Sequence, residues 1–280
     1  MPLRNQPLLD DVNACRVPRG ALAFWWLGQH SFILKLGKTV LYIDPFLTAL
    51  DRRQVPPLLK SEEITNADLV LGSHDHADHI DRAVWPVLAA ASPRARFVVP
   101  KLLLAGLAKD LKIPKARFIG LDDGTRAESA DVCITGIAAA HEFLDRDPRT
   151  GAYPYLGYVV EGNGCTVYHS GDSCVYEGLQ TKLKQWSFDL AFLPINGRDA
   201  KRLAAGCIGN MTYQEAADLA GALAPRLTVP THYDMFAMNS ENPALFTDYM
   251  RVKYPKLATR VCEHGQRAEL SAVRARAKRA

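Results

Sequence analysis

The segment Ser73–His79 carries the densest group of potential metal ligands in the sequence. It consists of Ser-His-Asp-His-Ala-Asp-His, so three of the chain's eight histidines lie within six residues. In an extended loop, residues two apart point the same way, so His74 and His76 can reach one metal ion together. Asp78 and His79 come where the chain turns towards a helix and can face a second ion. The alternative, a solvated polar loop with chance histidines, fits such clustering poorly.

The ligand types indicate which metal chemistry is available. Imidazole and carboxylate groups bind Zn, Mn or Fe, and the absence of cysteines from the segment argues against a structural cysteine-rich zinc site. One loop supplies too few ligands for two ions, so the remaining ligands are expected at other strand ends. A single histidine at a strand end is more often structural, but a shared placement favours a common site. Three residues have that placement: His141 after Val132–Ala140, Asp172 after Cys165–Tyr168 and His232 after Leu227–Val229.

The predicted strands follow one another closely at the start of the chain and are separated by helices further along. The opening segments Ala21–Leu27, His30–Leu36 and Thr39–Ile43 predict three strands joined by short turns. After the proline-bearing loop 44–60, short apolar strands alternate with helical segments, beginning with Asp68–Gly72. Strands joined by short turns, followed by strands that alternate with helices, predict one layered α/β domain over residues 1–280.

Turn and capping signals add local detail. Asn163-Gly164 predicts a hairpin turn between Leu156–Val160 and Cys165–Tyr168. Thr212, with Glu215 three residues later, predicts a helix that begins with a capping box. The predicted helices are Ile80–Ala91, Lys101–Leu111, Val175–Leu183, Thr212–Leu223 and Pro243–Lys253, and further strands are predicted at Arg96–Val99, Arg117–Ile119 and Phe188–Leu193.

Composition narrows the class of protein. The chain has 280 residues, of which 48% are hydrophobic and 23% charged, which excludes disorder and a coiled coil. No apolar run approaches the roughly 18–20 residues of a membrane helix, and the N-terminus lacks the features of a signal peptide. Six scattered cysteines without a CxxC motif predict reduced thiols and a cytoplasmic location.

Charge gives a weak indication of partners. A net charge of +4 over 280 residues does not predict a nucleic-acid surface and favours small anionic molecules. The C-terminal tail carries several basic residues, which fit a frayed helix better than a nucleic-acid contact. The sequence is also compatible with a homo-oligomer. These tail residues are Arg274, Arg276, Lys278 and Arg279.

The order of the motifs resembles the metallo-β-lactamase superfamily. The shared pattern is HxHxDH after a strand, then a distant histidine, a Gly-Asp pair and a last histidine, spread from about Trp25 to His232. Within that superfamily the chain looks most like the L-ascorbate-6-phosphate lactonase group. The stretches that carry this second likeness are Trp25–Gly28, His74–Asp81, Tyr168–Ser173 and Pro230–Asp234.

This resemblance implies a four-layer αβ/βα sandwich with two metal ions in a cleft at one edge of its sheets. It implies that one ion is held by His74, His76 and His141. It implies that the other is held by Asp78, His79 and His232, with Asp172 bridging the two. The lactonase group is associated with manganese and many relatives use zinc, and nitrogen and oxygen ligands do not decide between them.

Two ions at such a site would give hydrolytic chemistry. Ions about 3.5–4 Å apart can share one water and lower its pKa towards neutrality, so that hydroxide attacks carbon or phosphorus. Asp78 is the candidate catalytic residue, because it can orient the nucleophile and shuttle its proton. Asp172 would offset the repulsion between two dications.

Further residues are expected to support the ligands. Asp44 ends a strand and is predicted to hydrogen-bond a ligand histidine or the loop backbone. His30 is either a residue at the cleft floor or a plain turn histidine. His169 is expected to hold the turn that leads to Asp172, and His264 is expected to be exposed rather than functional.

Three polar loops are candidates for substrate contact. The loop 142–154 follows His141 and could cover the cleft. The loop 196–210 carries Arg198 and Arg202, which suit a phosphate group. The loop 233–242 carries Tyr233 and Asn239, which could line the pocket together with Phe236. For each loop, ordinary solvation is the alternative.

Three hypotheses follow for function. The first is a metal-dependent hydrolase of a small anionic ester or lactone, most narrowly a sugar-acid phosphate lactone such as that of L-ascorbate 6-phosphate. The second is a phosphodiesterase, because Trp-Leu-Gly-x-His and Ile-Asp-Pro also resemble the N-acylphosphatidylethanolamine phospholipase D group. The third is a metal-binding protein without catalysis, which requires every coordination position to be filled by protein.

Overall fold

Residues 3–272 are described by a computed structural model in which two β-sheets pack face to face. The basic tail residues that the sequence singles out lie outside this range. The strands are β1 Leu22–Gly28, β2 Ser31–Leu36, β3 Thr39–Ile43, β4 Leu69–Leu71, β5 Arg96–Pro100, β6 Phe118–Leu121, β7 Arg126–Ser129, β8 Val132–Ala138, β9 Leu156–Gly162, β10 Cys165–His169, β11 Leu190–Pro194, β12 Leu227–Thr231 and β13 Arg267–Leu270. The helices are α1 Asn5–Ala14, α2 Trp85–Ala91, α3 Leu104–Asp110, α4 Leu179–Leu183, α5 Ala200–Ala204, α6 Tyr213–Leu223 and α7 Pro243–Lys253.

The first sheet has the order β13-β1-β2-β3-β4-β5-β6. Its early strands pair antiparallel, as the short turns between them require, and β3 to β6 pair parallel. The register of β1 with β2 shifts between Trp26 and Gly28, directly before the turn at Gln29 and His30. This irregular end of the hairpin lies at the same edge of the sheet as the end of β4.

The second sheet has the order β12-β11-β10-β9-β8-β7. The predicted hairpin between β9 and β10 is confirmed, and Asn163 and Gly164 both have positive φ, 52° and 77°. Positive φ at both central residues is what a two-residue hairpin turn of this kind needs. The strands β10, β11 and β12 then run parallel, so their C-terminal ends reach one edge together.

Helices cover the outer face of each sheet, which gives the expected four-layer αβ/βα sandwich. Phe32 and Phe192 stack between the sheets with ring centroids 3.9 Å apart. Outside the first sheet, α1, α2 and α3 bury Leu8, Trp85 and Leu107 against one apolar cluster. Outside the second sheet, α4, α6 and α7 contribute side chains to the other cluster. Because both faces are covered, β2 is buried throughout, which is why Ile33 is apolar like Phe32 and Leu34 on the opposite face of the strand.

Three predicted helices begin later than expected. The helix predicted from Lys101 begins at Leu104, after three residues in a turn. The helix predicted from Ile80 begins at Trp85, because residues 80–84 form turns that the Asp81 carboxylate stabilises through the backbone N–H of Val84. The helix predicted from Val175 begins at Leu179, after Gly178 adopts a φ of 87°. The capping box at Thr212 and helix α7 are confirmed.

The end elements α1 and β13 and the short β7 and α5 were not predicted. The helix α1 has no capping side chain at Arg4, and β13 acquires its strand conformation by pairing with β1 from the far end of the chain. Throughout residues 3–272, no helix has both the length and the apolar character needed to span a membrane.

Candidate metal centre

The seven residues predicted as metal ligands come together in the structure. Three overlapping groups each place their ligand atoms within 4.8 Å of one another. We call His74, His76 and His141 the tri-histidine group, and Asp78, His79 and His232 the mixed group. The third grouping, His74 with His79 and Asp172, joins the two.

The tri-histidine group is arranged around the half-buried ring of His76. Its Nδ1 lies 3.0 Å from Nε2 of His74 and 3.3 Å from Nε2 of His141. The opposite ring nitrogens face the protein: Nδ1 of His74 lies 3.0 Å from the hydroxyl of Ser73, and Nδ1 of His141 lies 3.3 Å from the carbonyl of Gly209. Each outer contact orients a ring so that its other nitrogen faces the centre of the group.

The mixed group is held from behind by Asp44. The Asp44 carboxylate lies 2.7 Å from Nδ1 of His79 and accepts hydrogen bonds from the backbone N–H and the hydroxyl of Ser73. On the other side of the ring, Nε2 of His79 lies 3.7 Å from Oδ2 of Asp78. That same Asp78 oxygen lies 3.8 Å from Nε2 of His232. Asp44 therefore sets the orientation in which His79 faces the group.

Asp172 lies between the two groups. Its Oδ2 is 3.0 Å from Nε2 of His232 and 3.8 Å from Nε2 of His141, while its Oδ1 is 3.4 Å from Nε2 of His79. A carboxylate that faces both groups occupies the position expected for a bridge between two cations.

The turn before Asp172 requires a glycine. Gly171 has a φ of 59°, and a Cβ there would clash with the carbonyl oxygen of Leu156. The backbone N–H of Gly171 donates to Nδ1 of His169 at 3.2 Å. The other ring nitrogen of His169 lies 2.9 Å from the carbonyl of His30. His169 thus holds this turn without facing the two groups.

His30 lies in the turn between β1 and β2, and its ring points beneath the cluster. Its buried ring contacts Asp172, with Nδ1 3.3 Å from Oδ1, and packs 3.9 Å from the ring of His169. His264, expected to be exposed, is instead part-buried. It stacks on Trp26 with ring centroids 4.3 Å apart and pairs with Asp234. His264 is covered because β13 brings the C-terminal segment back against β1.

Electrostatics differ between the two groups. Burial lowers the pKa of His74 well below its usual value and that of His141 to about 4. Burial also disfavours charge on His79 and His232, but Asp172 and the other nearby carboxylates together outweigh it and raise the pKa of both. In turn, His232 and His79 hold the pKa of Asp172 well below the ordinary range in spite of its burial.

The backbone is also strained at this site. Asp44 and His232 have φ values of 45° and 58°, and Gln29 and Glu142 have 55° and 69°. Residues other than glycine rarely adopt positive φ, and such strain gathers at functional sites. All four of these residues adjoin the cluster or the loops that follow it.

A cavity of about 280 Å³ opens onto the cluster. It is lined by five of the seven residues of the cluster: His76, His141, Asp78, Asp172 and His232. The rest of its wall consists of Arg52, Gly206, Cys207, Ile208, Phe236, Met238 and Asn239. A larger cavity, about 830 Å³, lies near the opposite end of β2 beside Lys35 and Lys38, away from these ligands.

Of the five residues predicted to contact substrate or to line the pocket, the cavity wall contains two, Phe236 and Asn239. Asn239 lines it and accepts a hydrogen bond from the amide of Asn196 at 2.9 Å. Tyr233 is buried against Trp26 instead, with ring centroids 5.2 Å apart. The structure does not bring the loop 142–154 into this wall, where the segment 206–208 stands in its place.

The two predicted arginines are engaged elsewhere. Arg198 makes two hydrogen bonds of 2.7 Å to the carboxylate of Glu215. Arg202 pairs with Asp199 and donates to the carbonyl of Ser240 at 2.6 Å. Neither lines the cavity, because these acidic and carbonyl partners turn both guanidinium groups away from it.

Gln29 and Arg52 are site residues that the sequence did not single out. Gln29 lies in the predicted turn after Gly28, directly before His30, so its position was a usable signal. Arg52 lies in the proline-bearing loop and packs over Phe236, with its guanidinium carbon 5.3 Å from the ring centroid. Nothing in the pattern of that loop distinguishes Arg52 from its neighbour Arg53.

Comparisons with known proteins cover the same part of the chain. The sequence profile of a family described as "Beta-lactamase superfamily domain" matches residues 39–233, which include all seven residues of the cluster. A UPF0173 metal-dependent hydrolase of Nitratidesulfovibrio vulgaris is 29% identical over 229 residues, 80% of this chain and 85% of that protein. Another, of Sulfolobus acidocaldarius, is 31% identical over 173 residues, 62% of this chain and 71% of that protein.

A solved structure shares the fold. The metallo hydrolase Igni18 of the archaeon Ignicoccus hospitalis superposes with a TM-score of 0.70 at 21% identity, over 90% of this chain and 99% of that chain. At this identity the likeness concerns the fold alone. It agrees with the two packed sheets and outer helices described above.

Proposed function

The chain belongs to the metallo-β-lactamase superfamily and, within it, to the UPF0173 metal-dependent hydrolases, and on this premise we propose that it hydrolyses a small anionic ester or lactone. The narrowest form of the proposal is a sugar-acid phosphate lactone such as that of L-ascorbate 6-phosphate. The cofactors proposed are two divalent cations, Mn or Zn. The tri-histidine group would hold one, the mixed group the other, and Asp172 would face both.

The observation that carries this proposal is the environment of His79. Its Nδ1 is bonded to Asp44, while its buried Nε2 has no hydrogen-bond partner among the residues that the structure describes. Leaving a buried polar atom unpaired is costly, so an unpaired imidazole nitrogen that faces carboxylates is suited to a cation. The donor set of imidazole and carboxylate fits Mn or Zn.

The protein's own groups define the rest of the chemistry. When bound, two such cations make water a stronger nucleophile and polarise the bond that is attacked. Asp78 lines the cavity, and His79 and His232 keep its pKa below the usual value although burial raises it. An ionised carboxylate at this position can accept a proton from the attacking water and pass it to the leaving alkoxide.

The cavity supports a compact anionic substrate. Arg52 places a guanidinium group at its wall, and the amide of Asn239, oriented by Asn196, leaves its N–H groups available for a substrate oxygen. A volume of about 280 Å³ is small for a long acyl chain. These features favour a lactone or short ester with an acidic substituent.

A phosphodiesterase is the second candidate, and one observation favours it. Ile208, Phe236 and Met238 form an apolar part of the wall, and Met238 is 51% exposed. Such a surface suits an ester with an apolar substituent that extends out of the cavity.

A substrate panel separates these candidates. The purified protein would be stripped with EDTA, reloaded with Mn or Zn, and assayed on a sugar-acid phosphate lactone, an uncharged lactone, a short-chain ester and an aryl phosphodiester. We expect metal-dependent turnover of the charged lactone, at least about 10-fold faster than of the uncharged one. Turnover of the phosphodiester alone would support the second candidate. Bound metal with no turnover of any member would support a non-catalytic metal protein.

Neighbouring residues of one loop provide a matched control. Asp75 points outwards and pairs with Arg82, whereas His76 lines the cavity. We therefore expect Asp75→Ala to keep metal and activity and His76→Ala to lose both. Equal behaviour of the two variants would contradict the assignment of the site.

A further inference from the structure

Gln29 occupies an unfavourable backbone conformation beside the metal ligands. It is fully buried in the turn between β1 and β2, and its φ is 55°. Glycine, asparagine and aspartate adopt this left-handed region more readily than glutamine. A glutamine at this position therefore needs an explanation beyond the turn itself.

The turn is fixed by main-chain contacts that do not use the glutamine side chain. The backbone N–H of Gln29 donates to Asp234 at 3.0 Å, and its carbonyl accepts from the backbone N–H of His232 at 2.9 Å. The indole N–H of Trp26 donates to the same carbonyl at 3.1 Å. A different residue at position 29 keeps all three of these bonds.

The side chain of Gln29 points into the mixed group. Its Nε2 donates to Oδ2 of Asp78 at 2.8 Å and lies 3.0 Å from Nε2 of His232. The Asp78 oxygen that it contacts is the one that faces His79 and His232. Its Oε1 is buried with no hydrogen-bond partner within residues 3–272. A glutamine serving packing alone would have both ends of its amide satisfied.

We propose that Gln29 is a positioning residue, whose side-chain amide holds the Asp78 carboxylate in the orientation in which it serves the mixed group. The inference rests on the proposed function, because it assigns Gln29 a task only if Asp78 works there. A donor on one oxygen restricts rotation of the carboxylate, and such outer contacts tune the ligands they touch. The strained backbone is the cost of placing an amide at that point.

Two substitutions test the amide separately from the turn. Gln29→Met keeps the length of the side chain and removes the donor. Gln29→Gly removes the donor and also relieves the positive φ. Both retain the main-chain bonds to Asp234 and His232.

We expect both variants to lower kcat about 10- to 100-fold with KM changed less than about 3-fold. In metal titration of EDTA-stripped protein, we expect one binding event to weaken about 10- to 100-fold and the other to stay unchanged. We expect the Tm of Gln29→Gly to equal or exceed that of the wild type, since strain is removed. If Gln29 were needed only for the fold, its replacement by glycine would lower the Tm. It would not weaken one metal-binding event more than the other.

Two results would overturn the inference. One is wild-type kcat and metal affinity in Gln29→Met. The other is equal weakening of both binding events together with a lowered Tm in both variants. The titration needs no substrate, so it tests Gln29 even if the substrate panel fails, and failure of the proposed function remains distinguishable from failure of this inference.

Discussion

The tri-histidine group and the mixed group lie side by side but are built differently. The former uses neutral rings whose pKa values are lowered by burial, and two of its members are close neighbours in one loop. The latter contains a carboxylate, and its two histidines have raised pKa values. Its member His232 and the adjoining Gln29 and Asp44 all have positive φ.

This contrast separates two ways of building a ligand set. Local spacing suffices for His74 and His76, which approach each other with ordinary backbone geometry. The mixed group also takes two members, Asp78 and His79, from that loop. Its outer contacts come from two further segments, through Asp44 and Gln29, and both of these residues have positive φ. Negative charge and strain are therefore concentrated on one side of Asp172, and the two groups are expected to respond differently to substitution and to acid.

The largest effect is expected from Asp172→Ala, because Asp172 faces both groups. Activity should fall by about 1,000-fold or more, and metal analysis should show loss from both groups. Asp172→Asn, which keeps the shape but not the charge, provides the comparison and should retain more metal. Retention of full metal content by Asp172→Ala would mean that the two groups are independent.

Acid should destabilise the metal-free protein through the tri-histidine group. A histidine whose pKa is lowered on folding stabilises the fold above the unfolded pKa of 6.5, and this contribution is lost as pH falls towards the folded pKa. For His141, which falls to about 4, the loss is on the order of 3 kcal/mol between pH 6.5 and 4. The Tm of EDTA-treated protein should drop over this range, and less so in His141→Gln.

The histidines of the mixed group change the stability with pH in the opposite direction. The raised pKa values of His79 and His232 give stability that is complete below pH 6.5 and is lost only as pH rises through the folded pKa values. His232→Gln should therefore leave the acid-induced drop in Tm intact. An equal flattening of the pH profile in His141→Gln and His232→Gln would remove the distinction between the groups.

Asp44→Asn is expected to have a smaller effect, confined to metal binding by the mixed group. The Asp44 carboxylate touches His79 but none of the tri-histidine rings, so the mixed group should bind metal about 10- to 100-fold more weakly. Calorimetric titration should resolve one weakened and one unchanged event. Weakening of both events would show that Asp44 supports the whole loop through Ser73 rather than His79 alone.

The smallest effect on metal is expected from His169→Ala. This ring supports Gly171 and His30 through hydrogen bonds, and neither of these residues belongs to the two ligand groups. The free energy of unfolding should fall by about 1–3 kcal/mol while metal content stays unchanged. A loss of one metal equivalent per chain would instead place His169 among the ligands.

Features that depend on neighbours in the sequence were predictable. The hairpin turn at Asn163 and Gly164, the capping box at Thr212 and the ligand loop after β4 each follow from a few adjacent residues. The convergence of His141, Asp172 and His232 was predictable too, because each follows a strand. The C-terminal ends of strands that run in the same direction meet at one edge of a sheet, and β8, β10 and β12 all run in the same direction.

Contacts between distant segments depended on the folded arrangement. Arg198 was predicted to suit a phosphate, but α6 places Glu215 against it. Tyr233 was predicted to line the pocket, but it packs against Trp26. The bond from Gln29 to Asp78 joins residues 49 positions apart. Which polar group satisfies which partner is settled by packing, because a charged or amide side chain bonds to whatever folding places within about 3 Å of it.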